Sequence, residues 1–152
     1  MDNKLQILLG LIADWRAGDI DAVLARLHED VVWHYAAAVA PPLRGKAKAR
    51  KFLEGFKAQI SEVRWRLFEH AVAGETLFVE GVDEYTAKDG AVVIAPYAGV
   101  FSFEGDLITG WRDYVDVGVM QAQKDGAKAT AWVQALADRP ALVMAARTAD
   151  AA

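Results

Sequence analysis

Residues 105–116 read Gly-Asp-Leu-Ile-Thr-Gly-Trp-Arg-Asp-Tyr-Val-Asp, and this stretch decides how the chain folds. Its period of two predicts a strand in which Trp111, Asp113 and Val115 share the inner face and Arg112 lies on the outer face. Asp113 is therefore an acid among apolar neighbours. Because burying a bare carboxylate is strongly disfavoured, such an acid must be hydrogen-bonded, paired or protonated. The stretch thus predicts both a core strand and a candidate site.

A second predicted strand, at residues 76–86, has the same feature. Its inner row consists of Leu77, Val79, Gly81, Asp83 and Tyr85. Asp83 is again an acid within an apolar row, and we expect its strand to lie next to the strand of Asp113. Two inward acids in one small protein predict a functional site.

Composition limits the classes of protein to which the chain can belong. It has 152 residues, of which 54% are hydrophobic and 25% charged, as expected for a single globular domain over residues 1–152. A net charge of −4 without a basic block argues against nucleic acid or an anionic membrane surface as a partner. The absence of cysteine excludes disulfides and thiol chemistry. Neither a signal peptide nor a run of about 18 apolar residues is visible, so we expect no membrane span and a cytoplasmic location.

Helix and strand patterns follow one another in an order that predicts the architecture. The predicted elements are a helix with Leu5 to Trp15, a helix with Ile20 to Leu27, a strand at 31–35, a helix with Ala49 to Ile60, strands at 63–73, 76–86, 91–103 and 107–117, and an alanine-rich tail at about 119–152 with one or two short helices. Three N-terminal helices against a strongly bent, mainly antiparallel sheet give an α+β cone with a helical C-terminal tail.

The same order of elements carries a family resemblance. It includes the motifs Glu29-Asp30-Val-Val-Trp33 and Pro41-Pro-Leu-Arg-Gly45, followed by a strand meander and the segment 105–116. This pattern resembles the NTF2-like superfamily, and within it the branch of limonene-1,2-epoxide hydrolase and the SnoaL-like polyketide cyclases. The resemblance covers roughly residues 5–119, and the tail adds nothing to it. It implies the same cone-shaped α+β fold.

The resemblance also implies roles for individual residues. Asp113 matches the general base of the hydrolase, and Asp83 matches the acid that protonates the epoxide oxygen. The arginine that bridges these acids in the hydrolase is replaced by Gly81, and the tyrosine and asparagine that hold the attacking water are replaced by Trp33 and Tyr35. The matched positions therefore keep the two acids and lose the residues that surround them.

These replacements change the expected chemistry. Without a cation between them, two close carboxylates should share one proton near neutral pH, which gives one base and one acid. Such a pair suits a cofactor-free acid/base enzyme of the lyase, isomerase or cyclase type better than epoxide hydrolysis, which needs an ordered water. An epoxide hydrolase is the first alternative. A non-catalytic domain for ligand binding or dimerisation is the second.

The predicted inner faces indicate the class of substrate. Besides Asp83 and Asp113, Tyr35 is a candidate catalytic residue, and His34 is a possible second base near the end of its strand. The predicted substrate-binding residues are Trp33, Phe52, Phe56, Trp65, Tyr85, Tyr97, Phe101, Trp111 and Val115. We expect an apolar, aromatic cavity without arginine or lysine, suited to a small hydrophobic or aromatic ring-bearing molecule.

Two further expectations concern cofactors and assembly. The three histidines are dispersed and form no metal-ligand spacing, so we expect neither a metal nor another cofactor. The outer sheet face carries the apolar row Phe78, Val82, Val92, Ile94 and Val100. A second subunit would cover such a row, which predicts a homodimer.

Overall fold

The computed structural model describes residues 3–145, which contain five helices and seven strands. In chain order they are α1 (Asn3–Arg16), α2 (Ile20–Ala25), β1 (Leu27–His34), β2 (Leu43–Arg44), α3 (Lys46–Lys57), β3 (Ile60–Val63), β4 (Arg66–Ala73), β5 (Thr76–Ala87), β6 (Val92–Glu104), β7 (Leu107–Val115), α4 (Val117–Lys124) and α5 (Ala131–Ala137). The predicted α+β class is confirmed. None of the helices within that range is long and apolar enough to cross a membrane.

The strands form one sheet in the order β2-β1-β7-β6-β5-β3, and β4 also pairs with β5. Only the β1–β7 pairing is parallel within the described part of the chain; the other pairings are antiparallel. Irregular register in four of these pairings, including β4–β5 and β6–β7, bends the sheet because an extra residue increases local twist. Helices α1, α2 and α3 pack on the concave face.

The main core lies between these helices and the concave face of the sheet. Its fully buried members include Leu8 and Leu11 of α1, Leu27 of β1 and Phe101 of β6. Each such side chain contributes about 1.5–3 kcal/mol relative to an exposed one. The core therefore fixes the helices against the sheet, and the cavity described below opens beside it.

Several predicted boundaries were wrong. Helix α2 ends at Ala25 and α3 at Lys57, so Leu27 and Ile60, which were assigned to helices, belong to strands β1 and β3. The single strand predicted at 63–73 is split into β3 and β4, which both pair with β5. The break falls at Arg64 and Trp65, and because two residues preserve the period-two alternation, the sequence pattern does not show it.

A bulge in β7 also reverses part of the predicted inner face. Ser102 pairs with Gly110 and Phe103 with Ile108, which leaves Thr109 as the extra residue. As a result Ile108 is fully buried and Leu107 is exposed, opposite to the alternation expected from the sequence. From Trp111 onward the observed alternation agrees with the prediction, and Asp113 lies on the concave face.

The C-terminal tail covers part of the convex face of the sheet. Residues of α5 and β4–β6 form a second core, with Val133, Ala137, Phe68, Val82 and Ile94. Arg66 Nη2 donates to the carbonyl oxygen of Ala137 at 3.0 Å and holds the end of α5. The apolar row from which the homodimer was predicted is thus partly covered by the chain itself. Phe78 and Val92 remain 44% exposed.

Candidate active site

A cavity of about 810 Å³ lies between helices α1–α3, the concave face of the sheet and α4. It is lined by Asp83, Asp113 and Tyr35. Eight of the nine predicted substrate-binding residues also line it: Trp33, Phe52, Phe56, Trp65, Tyr85, Tyr97, Trp111 and Val115. The ninth, Phe101, is fully buried behind the wall, with its ring centroid 5.4 Å from that of Trp111.

His34 does not reach this cavity. It is half-buried on β1 and pairs with Arg112 of β7, on the opposite alternation to Trp33 and Tyr35. The structure therefore does not bring His34 to the two acids. Within residues 3–145, no group of three histidine, aspartate or glutamate side chains is arranged to hold a metal ion.

Parallel aromatic rings form one wall of the cavity. The rings of Trp33 and Trp111 stack with centroids 4.1 Å apart at 16°, and Trp65 continues the stack 5.9 Å from Trp111, also at 16°. Phe52 packs edge-on against Trp33 and stacks on Tyr35. Stacked and edge-to-face pairs are favourable arrangements of aromatic rings. The wall is therefore aromatic and apolar.

The two acids lie on either side of β6, and the expectation that their strands are neighbours was wrong. Asp83 of β5 pairs with Ala95, while Asp113 of β7 pairs with Gly99. Tyr97 lies between these two β6 positions on the same face. Within residues 3–145 no hydrogen bond joins the two carboxyls, so each acid has its own surroundings.

Burial raises the pKa of Asp113 from 3.8 to about 8. The indole N–H of Trp111 donates to Asp113 Oδ1 at 2.9 Å and lowers the pKa, whereas the charge of Asp83 raises it. Trp33 Nε1 also lies near this carboxyl and lowers its pKa, although this buried N–H makes no hydrogen bond of normal geometry within residues 3–145. The carboxyl of Asp113 is accordingly protonated at neutral pH.

Burial also raises the pKa of Asp83, from 3.8 to about 6, and the charge of Lys124 opposes this rise. Asp83 is therefore mainly ionised at pH 7 while Asp113 is mainly neutral. This order is opposite to the roles implied by the family resemblance, in which Asp113 is the base. The main cause of both raised pKa values is the burial of each acid, and not the close contact between the two carboxyls that was expected from the sequence.

Tyr97 is placed to act between the acids. Trp65 Nε1 donates to its hydroxyl oxygen at 2.6 Å. Burial, followed by the charges of Asp113 and Asp83, raises the pKa of Tyr97 well above its ordinary value. The hydroxyl therefore stays protonated and keeps an O–H proton for donation, because its contact with Trp65 uses only the oxygen.

A side chain at position 81 has no space unless the surrounding backbone moves. A Cβ at this position would lie 2.4 Å from the backbone oxygen of Arg66 and about 3 Å from Leu67 and Tyr97. Gly81 pairs with Leu67 next to the irregular register of β4, where the two backbones are close. The bridging arginine of the hydrolase thus has no space here.

Helix α4 forms a wall that the sequence analysis missed. Val117, Met120 and Lys124 line the cavity, and their spacing of three and four residues places them on one helix face. That spacing was the available signal in the tail. Lys88 also lines the cavity, so the expectation of a cavity without lysine was wrong.

Comparison with known proteins identifies the family. The model of the SnoaL-like domain matches residues 9–111, which is more than half of the chain and includes Asp83 but not Asp113 or α4. A search among curated proteins gives no significant match.

Solved structures share the fold at low sequence identity. An NTF2-like protein of unknown function from Burkholderia pseudomallei is 24% identical, with 79% of this chain and 95% of that chain covered and a TM-score of 0.70. An LEH-like epoxide hydrolase from M. tuberculosis is 21% identical, with coverages of 80% and 88% and a TM-score of 0.70. A candidate SnoaL-like polyketide cyclase from Shewanella putrefaciens is 14% identical, with coverages of 84% and 99% and a TM-score of 0.75. The chain has the NTF2-like fold and belongs to the SnoaL-like domain family.

Proposed function

We propose that the protein is a cofactor-free acid/base enzyme, of the lyase, isomerase or cyclase type, that acts on a hydrophobic ring-bearing molecule. One observation carries the proposal: two aspartates, Asp83 and Asp113, line the same aromatic cavity. Asp83 is ionised and Asp113 is protonated at pH 7, so one is ready to accept a proton and the other to donate one.

The proposed reaction uses both acids in one turnover. The carboxylate of Asp83 takes a proton from a carbon next to a carbonyl group of the substrate. Asp113 gives its proton to an oxygen or leaving group at the other end of the reacting system, and proton exchange with water restores both acids. The hydroxyl of Tyr97, between them, donates a hydrogen bond to the oxygen on which negative charge develops.

The position of the acids also indicates the size of the substrate. Because β6 separates them, a substrate that contacts both has to span the distance between two non-adjacent strands. The buried rings of Trp33, Trp111 and Trp65 make this part of the cavity apolar. A hydrophobic ring-bearing molecule of sufficient length meets both conditions.

Epoxide hydrolysis is the second candidate, supported by the protonated acid Asp113 and by the fold shared with the M. tuberculosis protein. It ranks lower because Trp33 and Tyr35 occupy the positions of the water-holding residues with aromatic rings. In addition, Gly81 has no space for a bridging cation.

Exchange of substrate hydrogen with D₂O tests the proposal without knowledge of the product. Ring-bearing ketones, phenols and epoxides are incubated with the protein in D₂O, and deuterium uptake is measured by mass spectrometry. We expect uptake at a carbon next to a carbonyl group, reduced by about 100-fold or more in Asp83→Asn. Asp30→Asn, which changes an exposed carboxylate on β1, is the matched control.

The other outcomes of this experiment each favour a different function. Diol formation from an epoxide without deuterium uptake would support the hydrolase. Binding of ring compounds that is unchanged in Asp83→Asn and Asp113→Asn, without any turnover, would support a non-catalytic binding domain.

We also propose that the chain acts as one domain in a cytoplasmic homodimer. Phe78 and Val92, which α5 leaves 44% exposed, are the residues through which a second copy would pack. Analytical ultracentrifugation of Phe78→Ser against the unchanged protein tests the dimer.

A further inference from the structure

Helix α4 is fixed to the sheet by the side chain of Gln123. Gln123 is only 4% exposed, and its amide makes two hydrogen bonds of 2.8 Å with the backbone of Ile94 in β6. The N–H of Ile94 donates to Oε1, and Nε2 donates to the carbonyl oxygen of Ile94. Strand β7 ends where Val115 pairs with Tyr97, so β6 has a free edge at this point. The glutamine amide takes the place of a neighbouring peptide group on that edge.

This contact fixes α4 close to Asp83. Ile94 pairs with Glu84, and the next residue of β6, Ala95, pairs with Asp83. The residue after Gln123 is Lys124, which lines the same cavity as Asp83. Within residues 3–145 Lys124 makes no direct ion pair, but its charge acts on Asp83 through space and favours the carboxylate.

A cation for Asp83 has to come from outside β5. Gly81, two residues before Asp83 on the same face, has no space for a side chain. Lys124 lies on α4, beyond the segment that the family model matches. Helix α4 thus adds a positive charge, that of Lys124, to the cavity from outside β5.

We propose that Lys124 is a positioning residue, held by the Gln123–Ile94 contact, that favours the ionised form of Asp83 as the base of the site. This proposal rests on the proposed function. It assigns the tail a part in the chemistry, in addition to covering the convex face.

Other titratable groups of the cavity also surround Asp83. They are Tyr85 on its own strand, Tyr97 on β6, Asp113 on β7, and Lys88 and Asp89 near the end of β5, which line the same cavity. The two tyrosines keep their protons and Asp113 is neutral at pH 7, so Lys124 is the charged group on α4 that opposes the burial of Asp83.

Titration of the Asp83 carboxyl by NMR in the absence of substrate tests the proposal. In Lys124→Met we expect its pKa to rise by on the order of half a unit, and Lys124→Arg should restore it. The difference between the unchanged protein and Lys124→Met should shrink in about 1 M salt, because exposed charges are screened. Lys128→Met, an exposed lysine of the tail outside the cavity, is the control.

A second variant separates the charge from its placement. Gln123→Met keeps Lys124 but removes the contact that holds α4, and we expect the pKa of Asp83 to rise as in Lys124→Met. An unchanged Asp83 titration in Lys124→Met, with the unfolding transition unaltered, would overturn the role of Lys124. An unchanged titration in Gln123→Met would overturn the role of the Gln123 contact. The titration needs no turnover. If the pKa of Asp83 shifts in Lys124→Met but the protein shows no exchange in D₂O, the result refutes the enzyme proposal and leaves the effect of Lys124 on Asp83 standing.

Discussion

Removing the carboxyl of Asp113 should make the fold more stable in alkaline solution. The pKa of this group is about 8 in the folded protein against 3.8 ordinarily, so the folded state holds the proton more tightly than the unfolded state. Unfolding therefore releases a proton between these pH values, and the free energy of unfolding falls as the pH rises toward 8. Asp113→Asn cannot ionise and loses this part of the pH dependence.

The two pKa values set the size of the effect. Between pH 5 and pH 9, ionisation of Asp113 alone lowers the free energy of unfolding by about 4 kcal/mol, since each pKa unit corresponds to about 1.4 kcal/mol. Rearrangement of the cavity around the charge reduces this figure, so it is an upper value. Ionisation of Asp83, whose pKa is about 6, also lowers the free energy of unfolding as the pH rises, and this decrease ends near pH 6. It is the same in the unchanged protein and in Asp113→Asn.

Urea unfolding at pH 5, 7 and 9, followed by circular dichroism, measures this difference. We expect the stability of Asp113→Asn relative to the unchanged protein to increase by several kcal/mol between pH 5 and pH 9. Asp30→Asn, at an exposed position, serves as the control for the loss of a carboxylate. Parallel pH dependence of the Asp113→Asn variant and the unchanged protein would refute the reasoning that Asp113 is buried and protonated.

Three other predictions follow from the same structure. The pH profile of kcat/KM should be bell-shaped, with limbs near pH 6 and pH 8 set by Asp83 and Asp113, and the residual activity of Asp113→Asn, which has lost the proton donor, should lack the alkaline limb. Gly81→Ala should lower the free energy of unfolding by about 3 kcal/mol or more, because its Cβ meets backbone. Gly55→Ala, in the last turn of α3 where a Cβ meets no other atom, should raise it by about 0.5 kcal/mol in the same urea assay. Gln123→Met should lower the free energy of unfolding by about 1–3 kcal/mol for each backbone group of Ile94 that loses its partner. Hydrogen exchange at the backbone N–H of Ile94 should become faster.

Local alternation was enough to predict the inner faces wherever the strands are regular. Asp83, Asp113 and the stacked residues Trp33 and Trp111 line the cavity, as period two requires of strands with one buried face. The alternation failed at Thr109, where a bulge adds a residue that no sequence pattern marks. Periodicity thus predicts which side a residue faces only up to the next bulge.

Relations between distant segments could not be predicted in the same way. The insertion of β6 between the strands of the two acids follows from the order of the predicted strand meander, whereas the parallel pairing of β1 with β7 joins distant segments and is not encoded locally. The role of Gln123 depends on a free backbone edge at Ile94, created by the place where β7 ends. The composition of the alanine-rich tail is that of a solvent-exposed helix, and only the tertiary structure shows that Gln123 is buried.

The stack of tryptophans gives the cavity an optical signal of its own. Trp33 and Trp111 are close enough, at 4.1 Å, for their ultraviolet transitions to couple, which should produce a strong near-ultraviolet circular dichroism couplet. The indole of Trp111 also touches the carboxyl of Asp113, so loss of its proton changes the electric field on the chromophore. The chain has five tryptophans, and we expect Trp132, which is 73% exposed, to supply most of the solvent-sensitive emission. A Trp132→Phe background would leave a spectrum dominated by buried rings, in which occupancy of the cavity and the proton on Asp113 can be followed without a label.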